Sequence, residues 1–403
     1  MNENVPSRAA SSGASRIPAP ERRTNFLWLF QPLIVLAAAF VWLLTTNPLT
    51  SFNNGAPPVE NLTVERTILD QQGLRLLVRA GGSEPMTIAQ VQVDAAYWEF
   101  TQDPAGPIER GDTAWISLAY PWVLGEAHLI TFVTNTGAAF EHAISVAVPT
   151  PVASKGNLAS QGMIGAFVGI LPVAVGLMFY PALRGAGPST MNFLLAMTVG
   201  LLGFLLVDTL EDAMEFAGEA AAIFQGQAMV VLAAAASFLL LMAISRREGR
   251  PTGLALATYI ALGIGLHNLG EGLAIGAAFA AGAAGLGTFL VMGFTLHNIT
   301  EGVGIAAPIL KVRPPLSTFA GLALLAGGPA VVGIWVGSLA YAPQWSALAL
   351  AIGAGAIVQV IVEVSVYMAR SGRGAKELVA PAALAGLFVG IAFMYLTAML
   401  VKI

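Results

Sequence analysis

The chain has 403 residues, 56% of them hydrophobic and 10% charged, with a formal net charge of −4 and no cysteine. Soluble domains carry about a quarter charged residues, so a single soluble globule is excluded. The lack of cysteine excludes disulfides, thiolate metal sites and cysteine nucleophiles, and the slight acidity gives nucleic acid no footing.

Residues 1–25 are rich in Ser, Ala and Pro with Arg8, Arg16, Arg22 and Arg23, and read as a disordered cytoplasmic tail. The apolar run at 26–46 is longer than the h-region of a cleaved signal peptide and lacks a cleavage site, so it reads as a transmembrane anchor. Its basic flank places the N-terminus in the cytoplasm. Residues 47–155 change character. Alternating segments at 74–78, 88–93, 114–118, 129–133 and 143–148, punctuated by Gly, Pro, Asn and Asp, predict a small extracytoplasmic β-sandwich. His128 and His142 fall on a predicted hairpin turning at Asn135 to Gly137. Counting from that turn sets His128 opposite roughly residue 145 and His142 opposite roughly residue 131. The two are therefore out of register and read as ordinary surface histidines.

From residue 156 to 403 eight apolar spans follow, at 158–182, 190–218, 220–245, 253–281, 285–310, 316–341, 344–369 and 378–401, each long enough for a bilayer core of about 20 helical residues. Cationic residues accumulate in cytoplasmic loops. Arg184, Arg246, Arg247, Arg250, Lys311, Arg313, Arg370, Arg373 and Lys376 all fall in alternate connectors, and the intervening connectors hold none. That register predicts a polytopic α-helical membrane protein, an eight-helix bundle preceded by one anchor helix.

No Lys or Arg lies within the eight spans, while Asp208, Glu211, Asp212, Glu215, Glu271, Glu301 and Glu363 do. A carboxylate in the hydrocarbon costs several kcal/mol unless paired, protonated or coordinated. Two of these carboxylates belong to a repeat: His267-Asn268-Leu269-Gly270-Glu271-Gly272 in the fourth span and His297-Asn298-Ile299-Thr300-Glu301-Gly302 in the fifth. His and Glu at i and i+4 share a helix face and one ion's reach. A short connector makes the two helices antiparallel, so two imidazoles and two carboxylates converge about a two-fold axis in the membrane plane. That donor set suits Zn²⁺, Fe²⁺, Co²⁺ or Mn²⁺, and the absence of thiols argues against Cu⁺.

With those motifs in view, residues 158–402 resemble the ZIP family of zinc and iron permeases, its bacterial broad-specificity branch in particular; the stretch HNITEGVGIAAP is specific to that pattern. The resemblance implies a ZIP-like bundle with both of its ends outside, and His267, Glu271, His297 and Glu301 as primary ligands. It implies that Asn268 and Asn298 shape an adjacent second site, that Asp208 and Asp212 stand beside the first, and that Glu363 lies on the cytoplasmic exit path. It also implies a homodimer. Three departures stand out. Gly270 and Thr300 replace a Pro common in relatives, Asp212 stands where many have His, and Gly328 stands where many have Glu before Pro329. The last predicts a single-ion site. The anchor and β region lie outside the resemblance, and any partner of the β region is unknown.

The resulting expectation is a multi-pass protein of the bacterial inner membrane that is not an enzyme and carries no prosthetic group. It moves divalent transition-metal cations (Zn²⁺, and by the same ligands Fe²⁺, Mn²⁺, Co²⁺ or Cd²⁺) into the cytoplasm. Its partners are the metal ions and the lipid bilayer, with no nucleic acid. The alternatives are a metal-sensing membrane receptor without flux, and an intramembrane metallohydrolase, which His-Asn-x-x-Glu does not match as His-Glu-x-x-His would.

Overall fold

The computed structural model describes residues 30–46, 58–150, 154–247, 249–280, 284–339, 342–371 and 374–401, so the tail expected at 1–25 lies outside the described residues. The chain divides into two units, 1–57 and 58–403. In the first, helix α1 (Gln31–Thr46) carries an apolar stretch, Gln31–Leu43, shorter than a full span.

The second unit opens with eight strands: β1 (Leu62–Asp70), β2 (Gly73–Ala80), β3 (Ile88–Val93), β4 (Ala96–Trp98), β5 (Phe100–Asp103), β6 (Thr113–Leu118), β7 (His128–Thr134) and β8 (Ala139–Ile144). They form two four-stranded antiparallel sheets, ordered β1-β2-β6-β5 and β4-β3-β7-β8. Alternation explains the core, since every second residue of β2, β6 and β7 (Leu74, Leu76, Val78; Ala114, Ile116, Leu118; Ile130, Phe132) is buried. The β7–β8 hairpin pairs His128 with Ile144 and Ile130 with His142, one residue from the register counted in the sequence. The last strand corrects the expectation at 143–148: it starts at Ala139, because the turn is short and pairing begins directly after it.

The helices of the bundle are α2 (Lys155–Gly165), α3 (Leu171–Met178), α4 (Tyr180–Leu183), α5 (Pro188–Glu219), α6 (Gly226–Ser245), α7 (Gly253–Ala280), α8 (Ala284–Ala306), α9 (Leu316–Leu339), α10 (Pro343–Ser371) and α11 (Pro381–Val401). A π-helical turn, Ala166–Ile170, joins α2 to α3. Among the described residues, seven helical stretches are long and apolar enough to cross a membrane. This is the make-up of a multi-pass membrane protein. The eighth expected span, α8, has 23 residues but is not among the seven. His297, Asn298, Thr300 and Glu301 interrupt its apolar run.

The helices pack most closely as two groups. In one, α7 lies along α9, with α2, the π turn, α3 and α8 against them; in the other, α5 contacts α11 and α10, and α10 contacts α6. Helix α10 also packs along α7 as extensively as along α6, so the two groups are joined there. Glycine permits the closest approaches. A Cβ on Gly272 would stand 2.2 Å from the Ala330 carbonyl of α9, and one on Gly302 would stand 2.3 Å from the Val173 carbonyl of α3.

The β region meets one end of the bundle. Buried Glu65 of β1 pairs with Arg79 Nε at 2.5 Å and accepts a bond of 3.0 Å from Gln344 Nε2 at the start of α10. Arg66 Nη2 donates to the Leu339 carbonyl at the end of α9 at 2.5 Å, and the Arg79 guanidinium lies 5.2 Å from the centre of the Phe224 ring. Beside these contacts is a cavity of about 680 Å³ lined by β1, β8 and the helix-end residues Glu219, Ala280 and Ser338.

Candidate metal site

Helix periodicity places His267 and Glu271 on one face of α7, and His297 and Glu301 on one face of α8. All four are at most 3% exposed. His267 Nε2 and His297 Nε2 lie 2.9 and 2.7 Å from the same oxygen, Glu271 Oε1, so one carboxylate bridges the two imidazoles. The ring centroids are 6.5 Å apart. Ligand atoms of His267, His297 and Glu301 fall within 4.8 Å of one another.

The two copies of the motif thus occupy different electrostatic positions. Glu271 is held by both histidines, and Asn298 Nδ2 also approaches its Oε2 at 3.4 Å. Neither oxygen of Glu301 has a hydrogen-bond partner, and neither has His267 Nδ1. Buried polar atoms are nearly always paired, and an unpaired one costs about 1–3 kcal/mol, more when charged. A cation bound between the helices would satisfy Glu301, and the nitrogen and oxygen donors present suit a borderline divalent metal.

The two asparagines anchor the site to neighbouring helices. Asn268 Nδ2 donates to the Ala326 carbonyl at 3.0 Å, and Asn298 Nδ2 donates to the Val168 carbonyl at 3.1 Å. Both acceptors sit at helix irregularities: Val168 in the π turn, Ala326 one turn before Pro329. A π turn loosens the i→i−4 ladder and leaves carbonyls available to such a donor, whereas the carbonyl that Pro329 frees is that of Leu325, next to the one Asn268 uses. The Oδ1 atoms of both asparagines are buried without a partner, which leaves them as further oxygen donors.

The other sequence-predicted residues are placed differently. Asp208 on α5 is half-buried and within electrostatic reach of His297. Asp212 is half-buried one turn further along α5, nearer the β region. Glu363 accepts from Ser245 Oγ at 3.1 Å and from Arg246 Nε at 3.4 Å, so a cation from the end of α6 reaches one of the span carboxylates after all. Gly328 lies on the opposite face of α9 from Ala326 and Ala330, on the side of exposed Leu324 and Val332. A longer side chain at 328 would therefore point away from α7.

Among the described residues neither histidine of the β region belongs to such a cluster, but His128 corrects the surface reading: it is 4% exposed, with Nδ1 2.8 Å from Asp94 Oδ2. The Leu129 N–H, and then His128, hold the Asp94 carboxyl below the usual carboxylate range. His142 is half-buried, with Nε2 2.9 Å from Thr67 Oγ1. Sequence reasoning missed Glu65, Gln344 and Gln359. All three are buried polar residues; no motif marks Glu65 or Gln344, and Gln359 lies in the stretch GAGAIVQVIVEV, where the resemblance gives a role to Glu363 alone. The only signal was their position in otherwise apolar or alternating segments.

Fold and site together define a chain with helices long and apolar enough to cross a membrane and a buried His₂Glu₂ cluster between α7 and α8. Compared with models of known protein families and with curated proteins, the chain matches none.

Proposed function

We propose that the chain is a transporter of divalent transition-metal cations related to the ZIP permeases, and that the His267–Glu271–His297–Glu301 cluster is its transport site. The observation that carries this reading is Glu301: a carboxylate at 2% exposure with no donor on either oxygen, beside two imidazoles and a second carboxylate. Only a cation or a proton balances it. A repeated His-Asn-x-x-Glu-Gly motif that brings both copies to one point favours the cation.

In this reading α8 is an eighth crossing, made partly polar by the ligands it carries. The cation-rich connectors lie on the cytoplasmic side of a bacterial inner membrane, and the β region faces out. Asp212, Glu215 and Glu219 on successive turns of α5 raise the local cation concentration near the β-region end. The ion exchanges its waters for two nitrogens and the carboxylates, with Asp208 adding negative field, and leaves toward Glu363. Movement of one helix group against the other changes the side to which the site opens. A homodimer of such chains follows from the same relationship.

The test is uptake of Zn²⁺ and Co²⁺ into proteoliposomes containing the full chain. Glu271→Ala and His297→Ala abolish uptake to the level of empty liposomes. Wild-type rates in either variant would refute the site. A protein that binds metal through these residues yet moves none would be a sensor.

A further inference from the structure

Below the cluster, on the side away from the β region, one residue has no explanation in the packing. Gln359 of α10 is 1% exposed, and neither Oε1 nor Nε2 has a hydrogen-bond partner. A buried primary amide without partners costs about 1–3 kcal/mol per group relative to an apolar side chain of similar size. Leu or Met would fill this position more cheaply.

Its place is fixed by the antiparallel register of α10 and α7. Leu350 of α10 packs at Gly270, and Gly353 lies against His267. A Cβ built on Gly263 would stand 2.8 Å from Gln359 Oε1 and 2.6 Å from Val360 Cγ2. Gly263 is four residues from His267, about 6 Å along α7 at ~1.5 Å per residue. The absence of a side chain at 263 is what allows the amide to lie there. One turn further along α10 comes Glu363, held by Ser245 and by Arg246, whose side chain is 32% exposed at the end of α6. The order along α10 is therefore ligand cluster, unpaired amide, then a carboxylate closed by a cation that reaches solvent.

We infer that Gln359 is a transfer site for the partly hydrated divalent cation between the His/Glu cluster and Glu363. The inference rests on the transport reading above. An amide suits this role. Its oxygen is a hard, neutral donor that replaces one water of a divalent ion, and its nitrogen donates to a water that the ion retains. Because it carries no charge it holds the ion weakly, and a conduction path needs a stop the ion can leave. Glu363 attracts the ion onward, and Arg246 occupies that carboxylate until the ion arrives.

Three proteins reconstituted in parallel, with Zn²⁺ as the probe, test this. Wild type binds Zn²⁺ and takes it up; His267→Ala does neither; Gln359→Leu binds at wild-type affinity but takes up Zn²⁺ about tenfold or more slowly, the loss of roughly one donor at a barrier. Gln359→Leu also melts no lower than wild type, because it removes unpaired groups. Uptake by Gln359→Leu at the wild-type rate overturns the transfer site and leaves the cluster standing. Uptake by His267→Ala at the wild-type rate overturns the cluster and with it this inference. A Gln359→Leu chain that does not fold overturns it as well, since the amide would then be a structural group. A readout independent of flux uses the absence of native cysteine. Gln359→Cys reacts with a small cationic methanethiosulfonate reagent, and Zn²⁺ slows that reaction. Failure to react marks a sealed core and overturns the inference.

Discussion

Glu271 and Glu301 each stand four residues after the histidine of a His-Asn pair and directly before a Gly, yet their surroundings in space differ. Glu271 Oε1 bridges two imidazoles, while Glu301 is buried with both oxygens unpaired. Removing them therefore has opposite effects on the metal-free protein. Glu301→Gln raises its melting temperature, because an uncompensated buried carboxylate is exchanged for a neutral isostere; Glu271→Gln lowers it, because the bridge between the histidines is lost. Both variants lose the stabilisation by Zn²⁺ that wild type shows, about 2.7 kcal/mol when free metal is a hundredfold above Kd. Thermal melts with and without Zn²⁺ check both signs, and equal shifts for the two variants would count against the asymmetry. The ligands themselves were legible in the sequence because i, i+4 spacing alone sets them on one helix face. Their inequality was not, since it comes from how α7 and α8 settle against each other.

At the scale of the helix, α7 and α9 are held close by glycines facing carbonyls, and this makes a sharp contrast available. A methyl on Gly272 meets the Ala330 carbonyl at 2.2 Å and must push the two helices apart; a methyl on Gly328, on the outward face of the same α9, meets nothing within 4 Å. Gly272→Ala is expected to cost about 1–3 kcal/mol, the usual range for overpacking, and to weaken metal binding by displacing Glu271, its neighbour. Gly328→Ala is neutral or slightly stabilising, through helix propensity. Denaturation in detergent and Zn²⁺ titration of the two variants decide it. The contrast also shows where sequence reading reaches its limit. The apolar runs predicted eight spans; among the described residues seven are long and apolar enough, and α8 falls short because its own site residues dilute its apolarity. Which glycine faces a neighbour depends on helix rotation, which periodicity left open for helices apolar on nearly every side. Strand β4 was missed for a related reason. Its turn is built by Asp94 and Ala95 at φ 52° and 66°, where Asn-Gly would have been recognisable.

For the molecule as a whole, the β region is tied to the bundle by polar contacts that join chain segments far apart in sequence. Arg66 reaches the end of α9, a member of one helix group, and Glu65 receives Gln344 at the start of α10, a member of the other. Glu65→Ala leaves Arg79 and the Gln344 amide without their carboxylate, and breaking such a pair costs about 3–5 kcal/mol when fully buried, less here because Arg79 is 20% exposed. Hydrogen exchange on the full chain should show faster exchange in β1 and in the first turn of α10, with the α7–α9 contact unchanged. The same face carries a pH dependence. Burial lowers the pKa of His142, so the folded chain keeps this imidazole neutral at a pH where the unfolded chain, near its ordinary value of 6.5, is protonated. Unfolding then takes up a proton as pH falls through about 6.5, and the β region loses stability below that point while keeping it in full above. Exchange protection of β8 in the intact protein is expected to fall between pH 7.5 and 5.5, and His142→Gln should flatten that slope, because a neutral amide can still bond Thr67 but takes up no proton. An unchanged slope in the variant would assign the pH response to another group.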